Sequence, residues 1–180
     1  MILCDFQIKA EIERGTLKIS PFDESLINPS SLDVRLGKRF SQVKPRYINI
    51  HPGESLTFIT EEVGEGSFIL HPGDMVLSTL AESIGLPSDV SATLKGKSSL
   101  ARLGIDNSSY GAWIDPGWAG DLVIEIANHG KYPIFLSSGI KIGQLIFYKH
   151  CPAQIPYNKK GHKSIYEPKR SSRQSRGLIE

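Results

Sequence analysis

Asp115-Pro-Gly-Trp-Ala-Gly-Asp-Leu-Val-Ile-Glu-Ile-Ala127 decides the fold. Proline presets φ for a tight turn and glycine supplies its left-handed position. From Asp121 onward the side chains alternate as they do along a strand. Leu122, Ile124 and Ile126 fall on one face, and Val123, Glu125 and Ala127 on the other. The same unit, a Gly/Pro turn feeding a short alternating run, recurs on both sides. His-Pro-Gly stands at 51–53 and again at 71–73, ahead of Ser55-Leu-Thr-Phe-Ile59 and Asp74-Met-Val-Leu-Ser-Thr-Leu80. Ser138-Gly139 precedes Ile140-Lys-Ile-Gly-Gln-Leu-Ile-Phe147. From about residue 47 to 148 the pattern is β throughout, which predicts a mainly β sandwich, barrel or jelly roll. The tripeptide recurs at too few positions for a solenoid.

Toward the N-terminus, Asp5 as N-cap predicts a short helix over 5–14, with Ile8 and Ile12 on one face and Gly15 at its end. Leu17-Lys-Ile-Ser20 reads as a short strand stopped by Pro21. After a loop at Asn28-Pro-Ser-Ser31, Leu32-Asp-Val-Arg-Leu-Gly37 alternates apolar and charged residues, the mark of a half-buried strand. Beyond Pro156 the alternation stops. The chain thus divides into a β domain over 1–157 and a basic tail over 158–180. The tail holds seven Lys/Arg against Glu167 and Glu180, net +5, so a chain of net charge +2 has a body of about −3.

These bounds exclude several classes. An apolar fraction of 39% and a charged fraction of 22% are globular values. No apolar run approaches the ~20 residues of a membrane span. An acidic body lacks the basic face of a general nucleic-acid binder, although a basic tail can close on a small polyanion. The opening Met1-Ile-Leu-Cys-Asp-Phe6 has no basic or apolar leader, and Cys4 and Cys151 lie far apart. A cytoplasmic chain with free thiols is the expectation. The histidines of the His-Pro-Gly turns have no acidic or cysteine partner at ligand spacing, so they read as turn residues rather than metal ligands.

Two boxes carry chemistry. In Lys95-Gly-Lys-Ser-Ser-Leu-Ala-Arg-Leu-Gly104, Ser98 reads as the cap of a single helical turn that Gly104 ends. Ser98 and Arg102 are then i,i+4 on one face. Backbone N–H groups, two hydroxyls and Lys97 converge as an anion requires. A capped connector turn fits the same residues, and the spacing is not that of a P-loop. In the second box Glu125 sits mid-strand among aliphatics. It is either a proton-shuttling acid/base, since burial moves a carboxyl group toward neutrality, or a glutamate on the wet face of a sheet. Asp115 either bonds its own backbone or points at a ligand hydroxyl. A zinc nucleobase deaminase would need H-x-E with P-C-x-x-C, and the chain has neither.

Lys97-Ser-Ser-Leu-Ala-Arg-Leu-Gly104, Trp113-Ile-Asp-Pro-Gly-Trp118, Val123-Ile-Glu125 and Ile142-Gly-Gln-Leu145 together resemble the dCTP deaminase branch of the dUTPase superfamily. The Met1-Ile-Leu-Cys-Asp5 opening, Asp33-Val-Arg-Leu-Gly37 and Leu70-His-Pro-Gly73 are similar to it as well, in order from residue 1 to about Tyr157. The resemblance implies distorted β-barrel or jelly-roll subunits with short helices. They would assemble as homotrimers, alone or paired into hexamers, with interface active sites. It implies hydrolysis of dCTP to dUTP and ammonia, with magnesium riding on the triphosphate and no zinc. Glu125 would shuttle the proton, and Ser98 and Arg102 would place the water and the glutamate. Lys97, Ser99 and Gln144 would hold phosphates, with Leu100 and Ala101 on the same turn. Asp115 would bind the 3′-hydroxyl, and the backbone at Val123 and Ile124 would read the base. Tyr157, Lys163 and Lys169 are the tail-side candidates for contact with the nucleotide.

The chain departs from the family pattern at Lys97, where most members have Arg, and at Ser108 and Tyr110-Gly111, in a loop associated with thymidine-triphosphate inhibition. In the tail, Tyr166 aligns, but Ile165 and Lys169 fall where Lys and Gln are usual. Ala112-Trp113 and Gln144 resemble members that carry dCTP on to dUMP. A plain dUTP diphosphatase and a catalytically inactive nucleotide-binding regulator are the alternative readings.

Overall fold

The computed structural model describes residues 1–43, 58–63, 66–107 and 111–159. Its elements in chain order are α1 (Asp5–Glu13), β1 (Lys18–Ser20), β2 (Ile27–Asn28), β3 (Ser31–Val43), β4 (Phe58–Glu62), β5 (Ser67–Leu70), β6 (Met75–Gly85), β7 (Val90–Gly96), α2 (Ser98–Ala101), β8 (Ile105–Asp106), β9 (Trp113–Ile114), β10 (Ala119–Asn128), β11 (Ile134–Ser137) and β12 (Lys141–Lys149). Short 3₁₀ turns lie at Glu24–Leu26 and Tyr157–Lys159. The chain is mainly β, as its alternation predicts. The main sheet runs β8-β10-β6-β3-β12-β7-β9, with β1 added to β6 and β2 and β4 to β3. It curls into a half-barrel. A second, two-stranded sheet pairs β5 with β11.

β3 makes the curl. Its first half pairs with β12 through Leu32↔Leu145, Asp33↔Gln144 and Val34↔Gly143. Its second half pairs with β6 and β4, and the β6 register breaks between Leu36 and Phe40. Gly37 sits at that break. A Cβ there would lie 2.7 Å from the Thr79 carbonyl oxygen, so only glycine lets the two strands approach this closely. Inside the curl, Leu32, Val34, Leu36, Phe40, Ile84, Ile126, Ile142, Leu145 and Phe147 are buried. Phe40 stacks on Phe68 at 4.7 Å. Each such side chain contributes about 1.5–3 kcal/mol by leaving water.

Several local expectations are corrected. Cys4, not Asp5, is the N-cap of α1: its N–H and Sγ–H both donate to Gln7 Oε1, at 3.1 and 3.2 Å. Asp5 becomes the first helical residue, where its carboxylate suits the positive end of the helix. Ile8 is fully buried and Ile12 packs against the core, as the i,i+4 pattern predicts. The β pattern from 47 to 148 is broken by α2. Of the two charges in 32–37, Arg35 is half-buried, but Asp33 does not reach water, being only 3% exposed. The turns at 71–73 and 138–139 form as expected, with Gly73 and Gly139 at φ 81° and 85°. His71 is an exposed turn residue. The 51–53 turn, Ser108, Tyr110 and the tail positions Lys163, Tyr166 and Lys169 lie outside the described residues. Among the described residues no helix is long and apolar enough to cross a membrane. Cys4 and Cys151 are free thiols.

Candidate active site

The ends of β3, β12 and β7 lie side by side, because Gln144 pairs with Asp33 on one flank and Lys95 on the other. That register gathers polar groups from four segments around one buried carboxylate. Lys97 Nζ donates to Asp33 Oδ1 at 2.7 Å, and Asn28 Nδ2 donates to the same oxygen at 2.9 Å. Lys141 Nζ lies 3.1 Å from Oδ2. Burial by itself pushes the Asp33 carboxyl up. The bonds from Lys97 and Lys141, the Lys97 charge and the Asn28 amide outweigh it and hold the group below the usual carboxylate range. Next to this cluster Ser31 Oγ donates to Gln144 Oε1 at 2.8 Å. The Gln144 amide nitrogen has no partner among the described residues.

The following turn corrects one expectation. Lys97, still in extended backbone (φ −85°, ψ 132°), occupies the N-cap position of α2, and Ser98 is the first helical residue rather than the cap. The i,i+4 relation of Ser98 and Arg102 holds, since Arg102 N–H donates to the Ser98 carbonyl at 3.1 Å. Ser98, Ser99, Ala101 and Arg102 are exposed. Leu100 packs on the core and anchors the turn. Gly104 (φ 89°) closes it against Gly130, where a Cβ would lie 2.5 Å from the Gly130 nitrogen. β8 then pairs with β10 at Asp106↔Ala127.

Glu125 stands on β10 opposite Leu77 of β6. Its neighbours Ile124 and Ile126 point into the core, while Val123 and Glu125 are half-buried on the other face. The facing predicted from the sequence is therefore correct. A register shift between Asp121 and Val123 bends the strand just before this pair. Among the described residues the Glu125 carboxylate has no hydrogen-bond or ion-pair partner.

Asp115 does not bond its own backbone through its side chain. Its carboxylate accepts from Trp113 Nε1 at 3.2 Å, and its carbonyl closes the turn by accepting from Trp118 N–H at 3.2 Å. Tyr157 N–H donates to the Pro116 carbonyl at 2.8 Å, and its ring lies 5.1 Å from that of Trp118. Burial, and then the Asp115 charge, push the Tyr157 phenol above its ordinary value, so it stays protonated.

The structure thus brings Lys97 and Gln144 together around Asp33, and Asp115 together with Tyr157. It leaves Ser98, Ser99 and Arg102 exposed, with no hydrogen bond to Glu125 within the described residues. Sequence reasoning missed Asp33, Ser31, Asn28 and Lys141 as a cluster. The available signal was a pair of charged residues, Asp33 and Arg35, sharing one face of a strand whose other face, Leu32, Val34 and Leu36, is core. Among the described residues no group of three or more His, Cys, Asp or Glu is placed to hold a metal ion.

A curled antiparallel sheet with two lysines held on one buried carboxylate, and on β10 a glutamate without a partner among the described residues, defines a mainly β protein with a candidate anion site. The chain belongs to the dCTP deaminase-like family, whose profile matches residues 2–150. It is 42% identical to a "dCTP deaminase, dUMP-forming" of Streptomyces avermitilis, over 99% of this chain and 96% of that one. It is 44% identical to the Acidothermus cellulolyticus protein of the same name, over 98% and 95%. A crystal structure of 2′-deoxycytidine 5′-triphosphate deaminase from Agrobacterium tumefaciens superposes with a TM-score of 0.64 at 29% identity, covering 81% of this chain. This chain spans 47% of the length of that solved chain.

Proposed function

We propose that this protein hydrolyses the 4-amino group of dCTP, releasing ammonia, and carries the resulting dUTP on to dUMP and diphosphate. The observation that carries this reading is the near-full-length likeness to relatives named as dUMP-forming dCTP deaminases. The half-buried carboxylate of Glu125, without a partner among the described residues, supports the chemistry. In this reading Glu125 takes a proton from the water that attacks C4 and returns it to the departing amine. Ser98 and Arg102 place that water and the glutamate. Lys97, Ser99 and Gln144 bind phosphates beside Leu100 and Ala101, and the backbone of Val123 and Ile124 reads the base. Asp115 binds the 3′-hydroxyl and helps place the second water, at the α-phosphate. Tyr157, Lys163 and Lys169 belong to the segment that closes over the nucleotide, the 158–180 tail acting as a unit distinct from the 1–157 domain. Magnesium enters with the triphosphate. The exposure of the α2 side chains favours sites completed between copies of a homotrimer. The free thiols suit the cytoplasm.

Substitution of Glu125→Gln removes the proton acceptor at nearly constant shape. Deamination should fall by about 10²–10⁴-fold, while dCTP binding measured by calorimetry persists. Turnover at the parent rate would overturn the assignment.

A further inference from the structure

Lys141 belongs to none of the boxes read as chemical, yet it shares one buried carboxylate with Lys97. The two ammonium groups occupy the two oxygens of Asp33, so the cluster has two positive charges against one negative. Asp23 is a further carboxylate whose field reaches Lys141, and it is already engaged by the Ser25 N–H and hydroxyl. We propose that Lys141 is a second cationic ligand for the substrate polyphosphate, held beside Lys97 by Asp33 as positioning residue. This rests on the dCTP reading above.

Three features support it. An ammonium has three donors, and each lysine directs one at Asp33, which leaves two apiece for an incoming anion. The side chains are 27% and 51% exposed for Lys97 and Lys141, while Asp33 is 4%. The anchor is therefore buried and fixed, and the cations face outward. Finally, the Ser31 hydroxyl engages the Gln144 oxygen and leaves the amide N–H groups available as further donors next to the pair. Such an arrangement lowers the ordering cost of binding because the donors are already in place.

The test uses the full chain with inorganic tripolyphosphate as calorimetric probe and dCTP as substrate. Lys141→Ala should raise the tripolyphosphate Kd and the KM for dCTP by about tenfold, the equivalent of one charge-assisted hydrogen bond. Its kcat should stay within about threefold. Lys141→Arg should restore most of the affinity, which loss of a merely structural contact would not predict. Lys131→Ala, an exposed lysine outside the cluster, controls for the loss of one charge. Parent-like tripolyphosphate affinity in Lys141→Ala overturns the proposal, as does a parent that does not bind tripolyphosphate. A parent that binds the probe but does not deaminate dCTP overturns the functional reading alone, and the Lys141 comparison still decides this one.

Discussion

Replacing Asp33 by Asn removes one negative charge from beneath two lysines and changes almost nothing in shape. In the parent, Asp33 accepts from Lys97 at 2.7 Å and Asn28 at 2.9 Å, and pairs with Lys141 at 3.1 Å. Hydrogen bonds to a charged group contribute about 1.5–3 kcal/mol each, and breaking a fully buried pair costs about 3–5 kcal/mol. Both lysines can swing toward water, being 27% and 51% exposed, and Asn28 can still donate to the new amide oxygen. The loss should therefore fall below the fully buried figure, at about 2–3 kcal/mol, or roughly 5–10 °C in Tm for a chain of this size. Differential scanning calorimetry at pH 7 measures it. The pH dependence supplies a second check. The folded Asp33 carboxyl lies below its unfolded value, so its stabilising contribution is present above about pH 4. That contribution is lost as pH falls through the folded value, and the gap between parent and variant should narrow in acid. A variant within about 1 °C of the parent at pH 7, or a gap that is constant into acid, would refute the assignment of Asp33 as a stabilising hub.

Two further substitutions probe the scaffold. Glu82 is fully buried and accepts from Arg35 Nε at 2.6 Å and Arg35 N–H at 2.8 Å. Glu82→Gln should cost about 3 kcal/mol by removing the charge opposite the guanidinium and turning one of the two acceptors into a donor, seen as a lower urea midpoint; an unchanged midpoint contradicts this. At Gly117, φ is +83° and a Cβ would lie 2.7 Å from Pro156 Cβ. Gly117→Ala should cost about 1–3 kcal/mol and push the Pro156–Tyr157 segment off Trp118, which a red-shifted tryptophan emission would report. Parent-like emission and Tm would show that the turn adapts freely.

The sheet was legible because its core strands follow a simple rule. Ile124 and Ile126 alternate with Glu125, and Gly/Pro turns separate the runs, so local pattern and tertiary burial agree. Local structure around the candidate site was legible where its residues are contiguous. Lys97 through Arg102 form one turn, and α2 forms where the box places it. The N-cap positions were each misjudged by one residue, because Cys4 and Lys97 cap without being preferred capping types. The Asp33 hub was hidden for a different reason. Its partners come from residues 28, 97 and 141, and only the β3–β12–β7 register brings them together. Alternation alone gives Asp33 the face opposite the core, whereas the Lys97, Lys141 and Asn28 side chains close over its carboxylate there. No local pattern encodes such a cluster.

The most direct test of the central claim is the product balance from dCTP. The parent protein is incubated with dCTP and magnesium, ammonia is assayed, and nucleotides and diphosphate are resolved by ion-exchange chromatography. Ammonia, dUMP and diphosphate in equal amounts, without accumulation of dUTP, are the expected products. Ammonia with accumulating dUTP would contradict the dUMP-forming reading, and dCTP left intact would contradict the deaminase itself.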